Sequence, residues 1–317
     1  MNKKVGLIVP TLNAGELWES WLQAFAAQTV KPDYWLLIDS SSADHTVALA
    51  RDAGFEVQVI AKSEFNHGGT RQFGVNRLAD ADILVFLTQD ALLAEPEAIE
   101  NLLAAFTDDS VGAAYGRQLP HRNAGPIGAH ARLFNYPPQS QLRGLQDKAQ
   151  FGIKTVFISN SFAAYRRSAL LGVGGFPLNT IMNEDTFVVG KMLLNGWKVA
   201  YCGDAAVFHS HDYGFADEFK RYFDIGVFHA HTPWLQQTFG GASGEGWRFV
   251  VSELKYLLKN APWLLPSACL RTGLKWLGYK MGGGMHARMP QSLNRRFSLH
   301  KAYWAGAISE NSLNGRS

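Results

Sequence analysis

Cysteine is scarce in this sequence, and its scarcity excludes one class of protein. Only Cys202 and Cys269 occur among the 317 residues, and neither belongs to a C-x-x-C pair. A disulfide scaffold therefore cannot hold the fold together. This usage is typical of a reducing compartment, and we expect the protein in the cytoplasm.

Long apolar runs are also lacking. A membrane-spanning helix needs roughly 20 consecutive apolar residues, and the best stretch here, 261–270, is broken by Pro262 and Pro266. The apolar run at 5–9 is too short for the core of a signal peptide and ends at Pro10. We therefore expect a chain that does not span a membrane.

The net charge is small, because 30 Lys and Arg face 27 Asp and Glu, which gives +3. This balance does not indicate a nucleic-acid partner. No G-x-G-x-x-G fingerprint follows the first apolar run, which disfavours a nicotinamide oxidoreductase. The sequence is 47% hydrophobic and 12% aromatic, and such a composition is typical of a folded protein with a sizeable core.

Short apolar runs alternate with helical patterns in the first half, as in a β-α-β sheet. Strands are predicted at 5–9, 34–38, 56–60 and 83–87, with helices at 14–28, 44–53, 69–79 and 96–106. Further on, the pattern predicts a strand at 155–159, a helix at 184–194, a strand at 198–202, and glycine-rich loops at 240–246 and 282–284. Ligands of such sheets bind at the carboxyl ends of the strands, so the polar residues there are the candidates for function.

A candidate cation site begins at Asp90, directly after the fourth predicted strand. Carboxylate oxygens suit Mg²⁺ or Mn²⁺, although a single Asp after a strand is also a common turn former. His209 and His211 lie two residues apart on a strand and face the same side. They suit a metal, and zinc is one alternative; the other is a pair of histidines bonded to the backbone.

Two acids, Glu184 and Asp185, open the helix that follows a glycine-rich turn. One of them suits a general base, whereas acids in a first turn also simply complement the helix dipole. With an ordinary pKa of about 3.9 an aspartate is ionised at neutral pH, so it would need positioning more than tuning. Upstream, Gly69 and Arg71 offer a helix N-terminus and a guanidinium to a phosphate; the alternative is a tight turn with a solvated Arg71.

In order along the chain, these segments resemble glycosyltransferase family 2, the inverting enzymes of the GT-A fold. The likeness runs from 5 to 211. The segments that carry it are 9–13, 38–46, 89–90, 174–176, 183–185, 196–197 and 207–209. Many relatives have a further Asp where Thr88 and Gln89 stand here, so one carboxylate with histidine would hold the ion.

The resemblance implies an α/β protein of the GT-A nucleotide-diphospho-sugar transferase type, a Rossmann-like mixed sheet flanked by helices with a helical C-terminal appendage. A catalytic domain would span 1–215, with a nucleotide-binding half at 1–115 and an acceptor half at 116–215, before a helical, basic and aromatic region at 216–317. The implied roles are donor binding by Pro10, Thr11, Asn13, Asp39, Gly69, Arg71, Gln89 and Arg117, metal binding (Mg²⁺ or Mn²⁺) by Asp90, His209 and His211, and catalysis by Asp185 with Glu184.

A narrower resemblance is to the bacterial rhamnosyltransferases of that family, through segments 66–71, 114–120, 134–137 and 210–213. It implies dTDP-L-rhamnose as donor and a surface-polysaccharide or lipid-linked glycan as acceptor. Two alternatives stay open: a family 2 enzyme with a UDP-hexose donor, and a non-catalytic partner in a polysaccharide-assembly complex.

The C-terminal region interleaves aromatic residues with bases, and Glu310 is its only acid beyond residue 254. Such a pattern favours peripheral contact with anionic lipid at the inner face of the plasma membrane. The alternative is a helical appendage packed on the domain or on a second subunit.

Overall fold

One mixed β-sheet forms the centre of the molecule in a computed structural model, which describes residues 3–241 and 243–305. The predicted α/β class, with a mixed sheet between helices, is confirmed. Within the described residues the sheet has nine strands: β1 (Val5–Thr11), β2 (Tyr34–Asp39), β3 (Glu56–Val59), β4 (Ile83–Leu87), β5 (Leu92–Leu93), β6 (Val111–Leu119), β7 (Gln141–Arg143), β8 (Phe162–Arg166) and β9 (Lys198–Phe208).

Helices cover both faces of the sheet and continue beyond it. They are α1 (Leu17–Ala26), α2 (Thr46–Asp52), α3 (His67–Arg77), α4 (Ala98–Leu103), α5 (Pro126–Asn135), α6 (Lys148–Phe151), α7 (Arg167–Gly172), α8 (Glu184–Leu194), α9 (Phe215–His231), α10 (Pro233–Phe239), α11 (Ser243–Asn260), α12 (Leu265–Gly284) and α13 (Gln291–Phe297). None of those helices is both long and apolar enough to cross a bilayer.

The strand order is β3-β2-β1-β4-β8-β6-β9, and the short strands β5 and β7 also pair with β9. Strands β1 to β4 run parallel, and β6 runs parallel to β9. Strand β8 is antiparallel to both β4 and β6. The carboxyl ends of β1, β2, β4, β6 and β9 therefore meet at one edge, together with the start of β8. We call this edge the carboxyl edge.

The core lies on both faces of the sheet, which explains why its central strands are apolar without alternation. Ile8 and Phe86 belong to the cluster on one face, whereas Leu7 and Val85 belong to the other. Trp18, Trp21 and Phe25 of α1 join the second cluster. This two-sided burial leaves the loops at the carboxyl edge as the place for polar groups.

The strand predicted at 155–159 is wrong. Residues Gly152–Val156 form a 3₁₀ turn, and the strand begins at Phe162. The buried guanidinium of Arg143 donates to the carbonyl oxygens of Lys154 and Phe157. Because a side chain satisfies these backbone acceptors, the segment needs no neighbouring strand.

The glycine-rich loop predicted at 282–284 is also wrong, because α12 continues to Gly284. Its glycines lie against α9: a Cβ on Gly282 would stand 2.0 Å from the carbonyl oxygen of Phe223, and one on Gly278 would stand 2.4 Å from that of Phe219. Glycine is needed there for close backbone approach. Similarly, α11 begins at Ser243, inside the loop predicted at 240–246; residue 242 lies outside the described residues.

Candidate functional site

Asp90, His209 and His211 come together at the carboxyl edge. Asp90 follows β4, and the two histidines follow β9. Asp90 Oδ2 lies 3.4 Å from His209 Nε2 and 3.7 Å from His211 Nε2. One ligand atom from each of the three residues lies within 4.8 Å of the others. Both histidines therefore approach the same carboxylate, as expected from their spacing, although they follow β9 and do not lie on it as predicted.

The charge states of this cluster suit a divalent cation. Burial, followed by repulsion from His209, lowers the pKa of His211 to about 4, so its imidazole is neutral at pH 7. Burial alone would raise the pKa of Asp90, but the neighbouring His209 and a hydrogen bond from Thr88 outweigh it and lower that pKa. Thr88 Oγ1 donates to Asp90 Oδ1 at 2.6 Å and orients the carboxylate. An ionised carboxylate beside a neutral imidazole is a donor set that can hold a divalent cation.

Asp185 lies in the first turn of α8 and is partly exposed. Its Oδ2 accepts a hydrogen bond from the backbone N–H of Asn160 at 3.1 Å. Burial and the charge of Glu184 raise the pKa of Asp185 to about 7. The expectation of an ordinary pKa is therefore wrong, because a second acid stands next to Asp185 in a buried environment.

Glu184 forms a buried ion pair with Arg71, at 3.2 Å between Oε1 and Nη1. Arg71 Nη1 also donates to the carbonyl oxygen of His67, and Asn160 Nδ2 donates to Glu184 Oε1 at 3.0 Å. Arg71 is only 6% exposed, so the alternative of a solvated Arg71 is wrong. Its guanidinium is occupied within the protein, and its role toward a donor phosphate stays a prediction.

The loop at 159–161 links Asp185 to the cation cluster. Asn160 holds Asp185, while the carbonyl oxygen of the next residue, Ser161, accepts from the backbone N–H of Thr88 at 3.2 Å. Asp90 lies two residues after Thr88. Because β8 runs antiparallel to β4, this loop at the start of β8 stands beside the end of β4.

Four of the predicted donor ligands, Thr11, Asn13, Asp39 and Gln89, form a rim connected by hydrogen bonds at the ends of β1 and β2. Thr11 Oγ1 donates to Asp39 Oδ1 at 2.9 Å, and Asn13 donates its backbone N–H to Ser42 Oγ at 2.7 Å. Gln89 clamps the same loop by bonding both the N–H and the carbonyl of Leu12. Pro10 lies within β1, next to Thr11. Asp39 is fully buried, so it supports this rim from inside the protein.

Gly69 and Arg117 occupy other positions. The amides of Gly68 and Gly69 both donate to Asn66 Oδ1, at 3.0 and 2.8 Å. Contrary to expectation, these amides are therefore not free for a phosphate. A Cβ on Gly68 would lie 1.8 Å from the carbonyl oxygen of Pro177, so glycine is needed for packing. Arg117 Nε donates to the carbonyl oxygen of Tyr136 at 3.2 Å.

Comparison with known proteins agrees with this geometry. The sequence pattern of Glycosyl transferase family 2 matches residues 7–173, more than half of the chain. The chain belongs to glycosyl transferase family 2. It is 52% identical over 302 residues to the O-antigen chain rhamnosyltransferase RfbN of Salmonella typhimurium, covering 95% of this chain and 96% of that protein. It is 50% identical over 299 residues to the O-antigen chain rhamnosyltransferase WbaN of Salmonella anatum, covering 94% and 95%.

Solved structures show the fold of this family 2 glycosyltransferase. The mannosyltransferase PcManGT from Pyrobaculum calidifontis, solved with GDP-Man and Mn²⁺, superimposes with a TM-score of 0.56 at 19% identity, over 99% of this chain and 88% of that one. TarS of S. aureus with UDP-GlcNAc gives 0.52 at 14% identity, over 90% and 92%. The fold is therefore of the GT-A type with additional C-terminal helices.

Asn160 is the residue of the family 2 enzyme that the sequence did not single out. It contacts both acids of the pair, and Tyr165 Oη donates to its Oδ1 at 2.8 Å. The signal was present, since Ser159, Asn160 and Ser161 directly precede an apolar run. The strand placed at 155–159 obscured it, because residues 159–161 in fact precede β8, which is antiparallel to β4 and begins at the carboxyl edge.

Proposed function

We propose that this family 2 enzyme transfers L-rhamnose from dTDP-L-rhamnose to a hydroxyl of a surface-polysaccharide or lipid-linked glycan. The observation that carries the proposal is the joint placement of a cation cluster and a basic carboxylate at one edge of a GT-A sheet. The names of the two O-antigen rhamnosyltransferases, at 50–52% identity over almost the whole chain, support the sugar and the acceptor class.

The proposed reaction is a single displacement with inversion. Asp185 takes the proton of the acceptor hydroxyl, whose oxygen bonds to the anomeric carbon as the bond to the diphosphate oxygen breaks and dTDP leaves. Asp90, His209 and His211 would hold Mg²⁺ or Mn²⁺, which when bound supplies positive charge to the departing diphosphate. Glu184 keeps the pKa of Asp185 high, while Asn160 holds its carboxylate in place.

A cavity supports thymine as the base of the donor. Ile60 donates its backbone N–H to the carbonyl oxygen of Asp39 at 2.8 Å, which places the cavity beside the rim of Thr11, Asp39 and Asn13. Its apolar members suit the 5-methyl group that distinguishes thymine from uracil. The cavity holds about 300 Å³ and is lined by Ile38, Ile60, Glu64, Gly69, Thr70 and Phe73.

A donor panel tests the proposal. Transfer and hydrolysis are measured with dTDP-rhamnose, UDP-glucose, UDP-galactose and GDP-mannose, with Mg²⁺ or with EDTA. We expect turnover of dTDP-rhamnose with Mg²⁺ and none with EDTA. Preference for a UDP-hexose would keep the enzyme class and discard rhamnose. Failure to bind any donor would favour the non-catalytic partner.

We also propose that residues 1–215 form the catalytic domain and that 216–317 contact the inner face of the plasma membrane. Trp247, Trp263 and Trp276 are 70, 73 and 63% exposed. On α12, Leu270 and Leu277 are seven residues apart and so share one face, whereas Trp263 lies in the 3₁₀ turn that precedes α12. We call the exposed tryptophans with Leu258, Leu270 and Leu277 the tryptophan face. The one acid within 246–305, Glu253, is buried, whereas Lys255, Lys259 and Lys280 are exposed.

Replacing Trp263 and Trp276 with serine is expected to reduce flotation with phosphatidylglycerol vesicles severalfold, because aromatic side chains insert at the lipid interface. Leu17 and Leu194 are exposed apolar residues on α1 and α8. A Leu17→Ser/Leu194→Ser variant is the matched control and should float like the wild type. Equal flotation of the tryptophan variant and the wild type would contradict membrane contact through these tryptophans, and a wild type that does not float would favour the packed appendage.

A further inference from the structure

Gln118 is a buried polar residue that the proposed chemistry does not use. It lies near the end of β6 and is 2% exposed. In the parallel pairing of β6 with β9 it stands opposite Val207, two residues before His209. Its Oε1 lies 3.0 Å from His209 Nδ1. The ring nitrogen of His209 that faces away from Asp90 therefore has a defined partner.

Two other contacts fix the orientation of the Gln118 amide. Arg132 Nη1, from α5, lies 2.7 Å from Gln118 Oε1. A guanidinium only donates hydrogen bonds, so the group that faces Arg132 must be the amide oxygen. On the opposite side, Gln118 Nε2 donates to Ser159 Oγ at 2.9 Å. A flipped amide would set two donors against each other at Arg132.

This orientation determines which nitrogen of His209 carries the proton. Because the amide oxygen only accepts, His209 must donate from Nδ1. In the neutral imidazole Nε2 then carries a lone pair, and Nε2 is the atom that lies 3.4 Å from Asp90 Oδ2. Two acceptor atoms that face each other at this distance suit a cation between them.

We propose that Gln118 is a positioning residue, which holds His209 in the tautomer with the proton on Nδ1 and aims its unprotonated Nε2 at the cation site. The inference rests on the metal site of the proposed function. Arg132 supports it by fixing the amide, and Ser159 connects the same amide to the loop that holds Asp185. Partners of this kind typically change metal affinity by about 10- to 100-fold.

Binding of Mn²⁺ alone, followed by the electron paramagnetic resonance signal of the free ion, tests the proposal. Gln118→Met keeps the side-chain length and removes the acceptor, so we expect Mn²⁺ affinity to fall by about 10- to 100-fold. Gln118→Glu retains an acceptor for both His209 and Arg132 and should keep most of the affinity. Ser159→Ala is the comparison variant: it removes the hydrogen bond on the far side of the amide and the contacts of Ser159 Oγ with Ser161. It leaves the contact with Arg132 that fixes the amide oxygen, so it should bind Mn²⁺ like the wild type.

Nitrogen-15 NMR of histidine-labelled, metal-free protein gives a second readout, which tests the tautomer of His209 in the wild type directly. The His209 signals are assigned by their loss in His209→Gln. We expect a protonated Nδ1 and an unprotonated Nε2 in the wild type, and a mixture of tautomers in Gln118→Met. A wild type protonated on Nε2, or a methionine variant that binds Mn²⁺ as tightly as the wild type, would overturn the proposal.

The two measurements separate this inference from the proposed function. If the wild type bound no Mn²⁺, there would be no cation site, and the claim that His209 Nε2 points at a cation would be overturned. The tautomer of His209 would then still decide whether Gln118 positions the ring. Normal Mn²⁺ binding with the opposite tautomer would leave the proposed function intact and overturn the role of Gln118.

Discussion

Replacing Asp185 with asparagine is expected to lower kcat by about 10²- to 10⁴-fold, the range that general-base catalysis contributes. Asparagine keeps the size of the side chain and still accepts the hydrogen bond from the backbone of Asn160, but it cannot take the proton of the acceptor hydroxyl. Donor binding should change little, since the proposed donor contacts lie elsewhere. Initial rates with saturating donor and acceptor measure the effect.

The pH profile provides the control for this role. A base acts only when unprotonated, so kcat/KM should fall about tenfold per unit as the pH drops below the pKa of Asp185, about 7. Glu184→Gln removes the neighbouring negative charge and should move that fall to lower pH. Circular dichroism checks that this variant is folded, because it also breaks the ion pair with Arg71. An unchanged profile in a folded Glu184→Gln would contradict the assignment of Asp185.

Replacing Asp90 with alanine is expected to abolish metal-dependent transfer, with a loss of about 10³-fold or more in kcat/KM. The carboxylate is the only negative group of the cation cluster among the described residues. Without it, two imidazoles remain to hold a divalent ion, and the charge that stabilises the leaving diphosphate is lost, which is worth several kcal/mol. Rates are measured across a Mg²⁺ titration, together with direct Mn²⁺ binding.

Asp204→Ala is the matched control for Asp90. Asp204 is an exposed aspartate of the same strand that leads to the histidines, and only its backbone carbonyl is bonded to another side chain, that of Asn101. This variant should retain both Mn²⁺ affinity and activity. Full activity of Asp90→Ala at ordinary Mg²⁺ concentrations would remove Asp90 from the proposed mechanism.

The strands of the sheet could be predicted from the local sequence wherever burial on both faces made the strand uniformly apolar. The strand predicted at 83–87 and the helix at 184–194 match β4 and α8 end to end. Asp90 could be placed at the carboxyl edge because it directly follows a predicted strand. For the two histidines the sequence predicted only that they face the same side, because β9 extends six residues beyond the predicted end at 202.

Contacts between distant segments could not be read in this way. The 3₁₀ turn at Gly152–Val156 depends on Arg143, whose guanidinium lies on another strand. The ion pair of Arg71 with Glu184 joins the starts of two helices that are more than 100 residues apart in the chain. Gly68 looks like part of a phosphate loop until the carbonyl of Pro177 is seen against it. Each case is a tertiary contact that has no signal in the local sequence.

The contact between α9 and α12 has a consequence for how this sequence can drift over evolutionary time. At Gly278 and Gly282 the two helices meet backbone to backbone, so neither position offers a side chain that could be exchanged to accommodate a change on α9. The residues on the inner surface of this helix pair should therefore vary little during evolution. Its outer surface, which carries Trp276, is free to vary with whatever it touches. Among descendants of this enzyme that meet new surroundings, amino-acid substitutions should appear first on that outer surface.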